Sequence, residues 1–457
     1  MRALMMTIVL LTLDTPAEAR DVLVHDQPAY TAAAKHLQPG DRIILADGEW
    51  RDFRIHFDGE GTEAAPLTLT AQTPGKVILT GQSSLNLAGR HLIVSDLVFR
   101  DGHPPGEELI AFRDGTRREA DDSRLTGIVI DTFSKPDRAD TDHWVSLYGR
   151  NNRVDHSHFV GKTNGGAMMV VVRATPLDNH HRIDHNYFGP RPELGENGGE
   201  TIRIGTSEQS QSDSFTTVED NFFERCDGEV EIVSVKSGAN IMRRNVFVES
   251  QGALTLRHGH GNLVEDNVFF GNGLPKSGGI RVINERQTVR NNYLEGLAGT
   301  GSFSALALMN GVPNSPLNRY MQVRAALIEH NSVIDAARVT LGSGANQELT
   351  LPPVSTRFVA NLFVNRNGPD PFRAHADIGG ISFSGDLLYA TGAPALSIPV
   401  ERRTVPLARA ANGLLYPTDP ALARMGTART LQPIRREETG VSWYAKPAAS
   451  PLPGNIK

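Results

Sequence analysis

The sequence predicts an all-β protein: a right-handed single-stranded parallel β-helix with an asparagine ladder and a short N-terminal capping helix. Three observations lead there. A motif of the form apolar-x-x-Asn, followed by further apolar residues, recurs as RIDHNYF, TVEDNFF, IMRRNVF, LVEDNVF, TVRNNYL, LIEHNSV and FVANLF. Its asparagines are Asn186, Asn221, Asn245, Asn267, Asn292, Asn331 and Asn361, roughly 22 to 39 residues apart, the spacing of solenoid coils with variable loops. A helix-like segment ending in Gln38-Pro39-Gly40 stands ahead of the first coil. Finally, a lone cysteine, Cys226, leaves a long chain to be held by packing and hydrogen bonds alone.

Each coil alternates apolar and polar positions as strands do, so its apolar residues point into a core shared with its neighbours. The asparagine falls where the chain turns between strands. There it tolerates left-handed backbone and bonds backbone groups, including those of adjacent coils. RVDHSHF places Ser157 in the same column, and IVIDTF places Asp131 there. Missing leucine spacing excludes a leucine-rich repeat, and irregular period excludes a propeller.

The segment AYTAAAKHLQPGDRIILADGEW predicts a helix over 30–37 and a strand over 42–45. A solenoid needs its open apolar end covered, which gives such a helix a purpose. From about residue 365 the ladder fades, and 390–457 reads as coils losing regularity and then loop. Residues 20–457 read as one β-helix domain. Ahead of it, Arg2, the apolar run 3–13 and Ala17-Glu18-Ala19 have the pattern of a secretory signal peptide over 1–19, which predicts a periplasmic or secreted protein. That run is too short to span a bilayer.

A net charge of −6, with 21% charged residues, argues against a nucleic-acid coat protein and leaves room for a locally basic cleft. Three clusters stand in consecutive coils: NGGETIRIG with Asn197, Glu200 and Arg203; CDGEVEIVSVKS with Asp227, Glu229, Glu231 and Lys236; and LRHGHGN with Arg257, His258 and His260. If residues 229–232 form a strand, Glu229 and Glu231 share its outer face, about 7 Å apart, with Val230 and Ile232 turned to the core. Two such carboxylates repel unless a positive charge lies between them. With Asn197 and Glu200 from the coil before, they offer oxygen donors only, a set that suits Ca²⁺. By itself E-x-E reads as a solvated acidic surface; the added donors favour a cation. A cation beside Lys236 disfavours its ammonium form and turns it toward a general base. Arg257, in the next coil, stays protonated and serves as an electrostatic stabiliser. An isolated lysine is usually just exposed, and His258 and His260 fit turn or stacking roles equally well.

These residues resemble polysaccharide lyase family 6, the family of alginate lyases and chondroitinase B. The resemblance runs over about residues 31–333. It includes PGDRIILADGEWRDFRIHFDGEGTEAAPLTLTAQTPGKVILTG, GGIRVINERQTVRNNYLEGL at 278–297 and NGVPNSPLNRYMQV at 310–323. It implies calcium ligands at Asn197, Glu200, Glu229 and Glu231, a Brønsted base at Lys236 and a Brønsted acid at Arg257. It also implies substrate contacts at His258 and Arg319, with Tyr320 beside them and Arg203, Arg281 and His260 as further candidates for the same cleft. The implied activity is β-elimination on an acidic polysaccharide, alginate first and dermatan or chondroitin sulfate second. A non-catalytic glycan-binding β-helix is the third reading. No nucleic-acid or membrane partner is expected, and the expected state is a monomer or weak oligomer.

Overall fold

The computed structural model describes residues 19–452, apart from Arg117 and Glu196. The apolar run and most of the cleavage signature of the expected signal peptide lie outside those residues. The described chain winds into coils whose strands stack into three long parallel sheets of fourteen strands each. The first sheet runs from Asp21–Val24 to Ile381–Ser384, and the third from Gly48–Arg51 to Glu401–Arg402. The second carries Ile202–Ile204, Glu231–Lys236, Gly252–His258 and Ser277–Val282 side by side. No helix among the described residues is long and apolar enough to cross a membrane.

The strands are short because each carries only the residues needed to cross one face of the coil. Like residues sit over like. In the first sheet Ile183, Val218, Met242, Val264, Val289, Ile328 and Phe358 align in one buried column. In the third sheet Phe159, Phe188, Phe223, Phe247 and Phe269 form an inward stack, with successive ring centroids 5.2, 4.8, 4.5 and 4.5 Å apart. Such pairs add stabilisation beyond the area that they bury.

The ladder is present from Asn186 to Asn361. Each amide donates to the Oδ1 of the next asparagine at 2.9–3.0 Å, and each Oδ1 also accepts a backbone N–H from the coil before. Buried amides satisfied this fully stiffen the corner at no desolvation penalty. Ser157 extends the column, and Asp386 ends it by accepting from Asn361 at 2.7 Å.

Two details differ from expectation. Asp131 is not in the column: Ile128 is, its N–H bonding Ser157 Oγ at 3.1 Å, while Asp131 pairs with Val160 farther along. The left-handed residue is also not the asparagine but the one before it, as at His185, Asp220, Arg244, Asp266, Asn291, His330 and Ala360 (φ 53–59°). The bend needs one left-handed residue, and the next must aim its amide along the stack. These are separate jobs.

The capping helix is Gln27–Ala34, with Asp26 as N-cap accepting from the Ala29 N–H at 2.8 Å. It begins earlier than the pattern predicted because that cap and Pro28 start it. Buried Tyr30 sits edge-on to Phe53 at 5.1 Å, closing the core's end. The predicted strand over 42–45 is observed as Arg42–Leu45.

Beyond Glu401–Arg402 the chain turns back and runs along the outside of the third sheet. Thr427 bonds Ser332, Arg436 reaches Glu224, the Gly440 N–H reaches His185, and Tyr444 reaches Asp131. The sequence pattern reads this stretch as loop. It is irregular, but Val405, Leu414, Leu415, Tyr416, Leu422 and Leu431 bury against Tyr187, Phe222, Val246, Val268 and Tyr293.

Candidate active site

The three charged clusters meet on the outer face of the second sheet. Glu200 stands just ahead of Ile202–Ile204, and Glu229 lies in the bend before Glu231–Lys236. The expectation that Glu229 and Glu231 belong to one strand is therefore not met, and Val230 is half-buried at a cavity wall rather than in the core. Two glycines make the convergence possible. Gly199 and Gly228 stack so closely that a Cβ on either meets the other's backbone, so the coils carrying Glu200 and Glu229 close up. Carboxylate oxygens of Glu200, Glu229 and Glu231 lie within 4.8 Å of one another, closer than strand rise alone gives.

Irregular register aims the remaining side chains. Glu231 pairs with Ala253 and Val233 with Leu254, so Ile232 is an extra residue; Val235 pairs with Leu256 and Lys236 with His258, so Arg257 is another. Ile232 and Val233 both bury in the core, and Ser234 and Lys236 keep outward positions beside Glu231. Bulges of this kind re-aim side chains without breaking a sheet.

The glutamates are unequally compensated. Glu231 accepts from the Ser234 hydroxyl and pairs with Arg281 at 3.3 Å and Arg257 at 3.7 Å. Glu200 pairs with Lys236 at 3.6 Å, while its Oε2 is buried without a hydrogen-bond partner. Glu229 pairs with no cation among the described residues, and its Oε1 is likewise buried and unpartnered. Burial first, then the Glu200 and Glu231 charges, raise its pKa well above the usual carboxylate range. Buried acceptor-only oxygens with nothing to accept from fit an oxygen-preferring divalent cation. Asn197 is exposed and shares a cavity of about 260 Å³ with Glu229.

Arg257 lies with its guanidinium 4.1 Å from the Tyr320 ring centroid, and burial lowers its pKa. Arg281 touches the same ring at 5.4 Å. His258 is buried, pushed down to about 3 by burial and by the Arg257 and Lys236 charges, and thus neutral; its Nε2 lies 3.5 Å from Ser207 Oγ. Arg319 reaches the cluster through its carbonyl, which accepts from Arg257 at 3.4 Å, while its guanidinium pairs with Glu348 at 2.7 Å. His260 stands apart, 3.7 Å from Asp213. Arg203 faces outward one coil earlier, in a separate cavity.

One residue escaped the sequence reading. Arg191 is fully buried beneath the cluster and donates to the carbonyls of Glu200, Asn164 and Gly166 at 2.8–2.9 Å. It has no carboxylate in ion-pair range among the described residues, so its charge is balanced at longer range by Glu200 and Glu229. In sequence it is one arginine in a Pro-rich turn.

The geometry has relatives. The chondroitinase B family model matches residues 24–408. The structure of the PL6-family alginate lyase AlyGC is 53% identical with TM-score 0.93, covering 94% of this chain and 60% of that one. A mannuronic acid-specific family 6 lyase from human gut microbiota is 35% identical, with TM-score 0.74, over 81% of this chain and 86% of that one. The lyase Pedsa3628 from Pseudopedobacter saltans, 24% identical with TM-score 0.75 over 93% of this chain and all of that one, shares the fold. No curated protein matches. The chain spans about 60% of AlyGC's length. With the family model covering residues 24–408 and AlyGC 53% identical over 94% of this chain, the chain belongs to polysaccharide lyase family 6.

Proposed function

We propose that the chain is a polysaccharide lyase that cleaves alginate by β-elimination at the face holding Glu229, Lys236 and Arg257. One observation carries the reading: a lysine and an arginine on adjacent coils converge on a carboxylate triad whose buried oxygens lack partners. The names of AlyGC and of the gut family 6 lyase support alginate as substrate. The chondroitinase B family description keeps dermatan or chondroitin sulfate as the second reading. The N-terminal signal-like pattern supports a periplasmic or secreted setting.

Glu200, Glu229 and Glu231 would hold Ca²⁺, with Asn197 nearby. When bound, the ion supplies positive charge to the sugar's C6 carboxylate, whose charge grows as the C5 proton leaves. Lys236 Nζ takes that proton as the C5–H bond breaks. Electrons form the C4=C5 double bond and the C4–O4 bond breaks; Arg257 stabilises the departing oxygen, which takes up a proton to become a free hydroxyl, and Lys236 returns its own proton to solvent. No water is consumed. Lys236 must be neutral to accept, and its Nζ stands 3.6 Å from Glu200, at the edge of the carboxylate cluster. The Tyr320 ring, with its centroid 4.1 Å from the Arg257 guanidinium, limits the rotamer freedom that the transition state would otherwise have to freeze. A glycoside hydrolase would instead need two carboxylates flanking the bond with an acid–base division. Here two of the groups at hand are cations.

The test is the ultraviolet absorbance of the unsaturated product after mixing the protein with alginate, with and without chelator. Absorbance that chelator abolishes and Ca²⁺ restores supports both parts. A rise indifferent to chelator removes the ion from the reaction, and a rise on dermatan sulfate alone moves the substrate to the second reading. Silence on every polyuronate sinks the lyase.

A further inference from the structure

Beneath the glutamates runs a chain of buried polar groups that takes no part in the proposed chemistry. Asp142, Lys162, Asn164 and Arg191 are fully buried, in the bends that lead into the second sheet in three successive coils. Lys162 Nζ donates to Asp142 Oδ1 at 2.8 Å and to Asn164 Oδ1 at 2.7 Å. The Asn164 amide donates in turn to Asp142 Oδ2 at 2.6 Å and to the Asp140 carbonyl at 2.9 Å. Arg191 carries the chain onward to the cluster. Its Nη2 donates to the Asn164 and Gly166 carbonyls, both at 2.9 Å, and its Nη1 to the Glu200 carbonyl at 2.8 Å. The rest of the residue holds the next bend. The Arg191 N–H donates to the Arg225 carbonyl, and the Arg191 carbonyl accepts from the Asp227 N–H, both at 3.0 Å. A Cβ on Gly228 would lie 3.0 Å from Arg191 Cδ, so the bend that leads to Glu229 is seated on the arginine's stem.

A guanidinium is a planar fork with fixed donor directions, and one that grips three carbonyls fixes the backbone around them. Three carboxylates drawn together repel, and bends free to relax would carry them apart. We propose that Arg191 is the positioning residue of the cation site: its fork fixes Glu200, and its stem and main chain seat Glu229, so that the two carboxylates meet before any ion arrives. Arg191 touches neither substrate nor reacting atoms. The proposal rests on the reading that the glutamate triad holds Ca²⁺. The contact between Gly199 and Gly228 permits the close approach, and Arg191 enforces it. An ion entering a site preformed in this way does not have to draw the bends together, which leaves its binding energy undiminished. Lys162 is a cation of the same buried chain, but its bonds go to Asp142 and Asn164 and not to either glutamate's bend. It therefore separates the stability of the chain from the placing of the carboxylates.

The experiment is equilibrium dialysis of the full chain against Ca²⁺, without substrate, for the protein, Arg191→Lys and Lys162→Met. Arg191→Lys keeps the charge beneath the triad and gives up the fork, so geometry alone is tested. It should weaken Ca²⁺ binding by about tenfold or more, as loss of a group that orients metal ligands does. Lys162→Met should lower the melting temperature and leave the Kd for Ca²⁺ unchanged. Equal binding by the protein and Arg191→Lys overturns the proposal and leaves the cation reading standing. Equal weakening by both variants overturns it too, because it places Arg191 in general stability. If the protein itself binds no Ca²⁺, the cation reading fails and the proposal falls with it. Should Arg191→Lys not fold, crystal structures of the unaltered protein with chelator and with Ca²⁺ decide. The backbone of 199–200 and 228–229 superposes in the two if the site is preformed, and bends that close only with Ca²⁺ overturn the proposal.

Discussion

The second and third sheets are built by the same coils, and their inward faces are equally apolar, yet their outer faces have opposite chemistry. Along the second sheet the outward column includes Arg203, Ser234, Thr255 and Arg281 beside the three glutamates. Along the third it runs Tyr187, Phe222, Val246, Val268 and Tyr293 in the same coils, and residues 403–452 cover it. The first face has unpartnered carboxylate oxygens, while the second has its buried carboxylates matched: Glu224 receives Arg436, the Tyr187 hydroxyl and the Ser450 N–H, and Glu295 receives Arg409 and the Tyr293 hydroxyl. The contrast teaches that inward positions specify the coil and outward positions are free to be assigned, one face to a charged cluster and the other to docking residues 403–452.

The comparison breaks most visibly at Lys236. Lys236→Ala should lower turnover on the order of 10³-fold while leaving the melting temperature near its original value. An equal loss of stability would mean that the site also holds the fold. On the other face the effects should be reversed. Arg436→Ala leaves Glu224 buried beside fewer donors and should cost about 3 kcal/mol in denaturant unfolding, with turnover per folded molecule unchanged. Between the faces lies the ladder. Asn245→Ala strands the Asn221 N–H and the Val218 carbonyl and should cost about 2 kcal/mol, whatever the substrate.

A separate effect, graded with pH and tied to neither face, is acid sensitivity. Burial pushes His158, beneath the returning chain, and His181 down to about 3. Unfolded histidines protonate near 6.5, so between those values the unfolded state binds more protons. Stability is full above pH 6.5 and declines as pH falls toward 3, by roughly 1.4 kcal/mol per unit for each histidine. Urea midpoints at pH 7 and 5 measure this, and His181→Asn should flatten the slope.

The ladder was legible in sequence because one residue type recurs at one corner, and because Val, Ile and Phe repeat at fixed offsets from it. The site residues were legible as charged positions interrupting that alternation. What was not legible depended on register. An extra Ile232 leaves no mark in the pattern, since two apolar residues in a row read as ordinary strand, and an extra Arg257 reads as one more outward polar residue at a strand's end. The left-handed residue before each asparagine varies from His to Asp to Arg to Ala, so no letter announces it. Arg191 acts through backbone carbonyls that only the fold brings to it. The returning segment was missed because its apolar residues follow no period: they fit a surface that the coils create, not a partner strand.

That segment changes how the solenoid comes apart. A stack of repeats held by nearest neighbours loses coils one at a time from an open end. Here the last coil leads into a cord that is fastened at Ser332, Glu224, His185 and Asp131, coil after coil back toward the other end. A terminal coil that peels away remains a closed loop between two fixed points, and it gains only the modest entropy of that loop. Fraying of the last coil is thereby opposed, because the stretch that follows it, residues 403–452, is fastened across the middle coils.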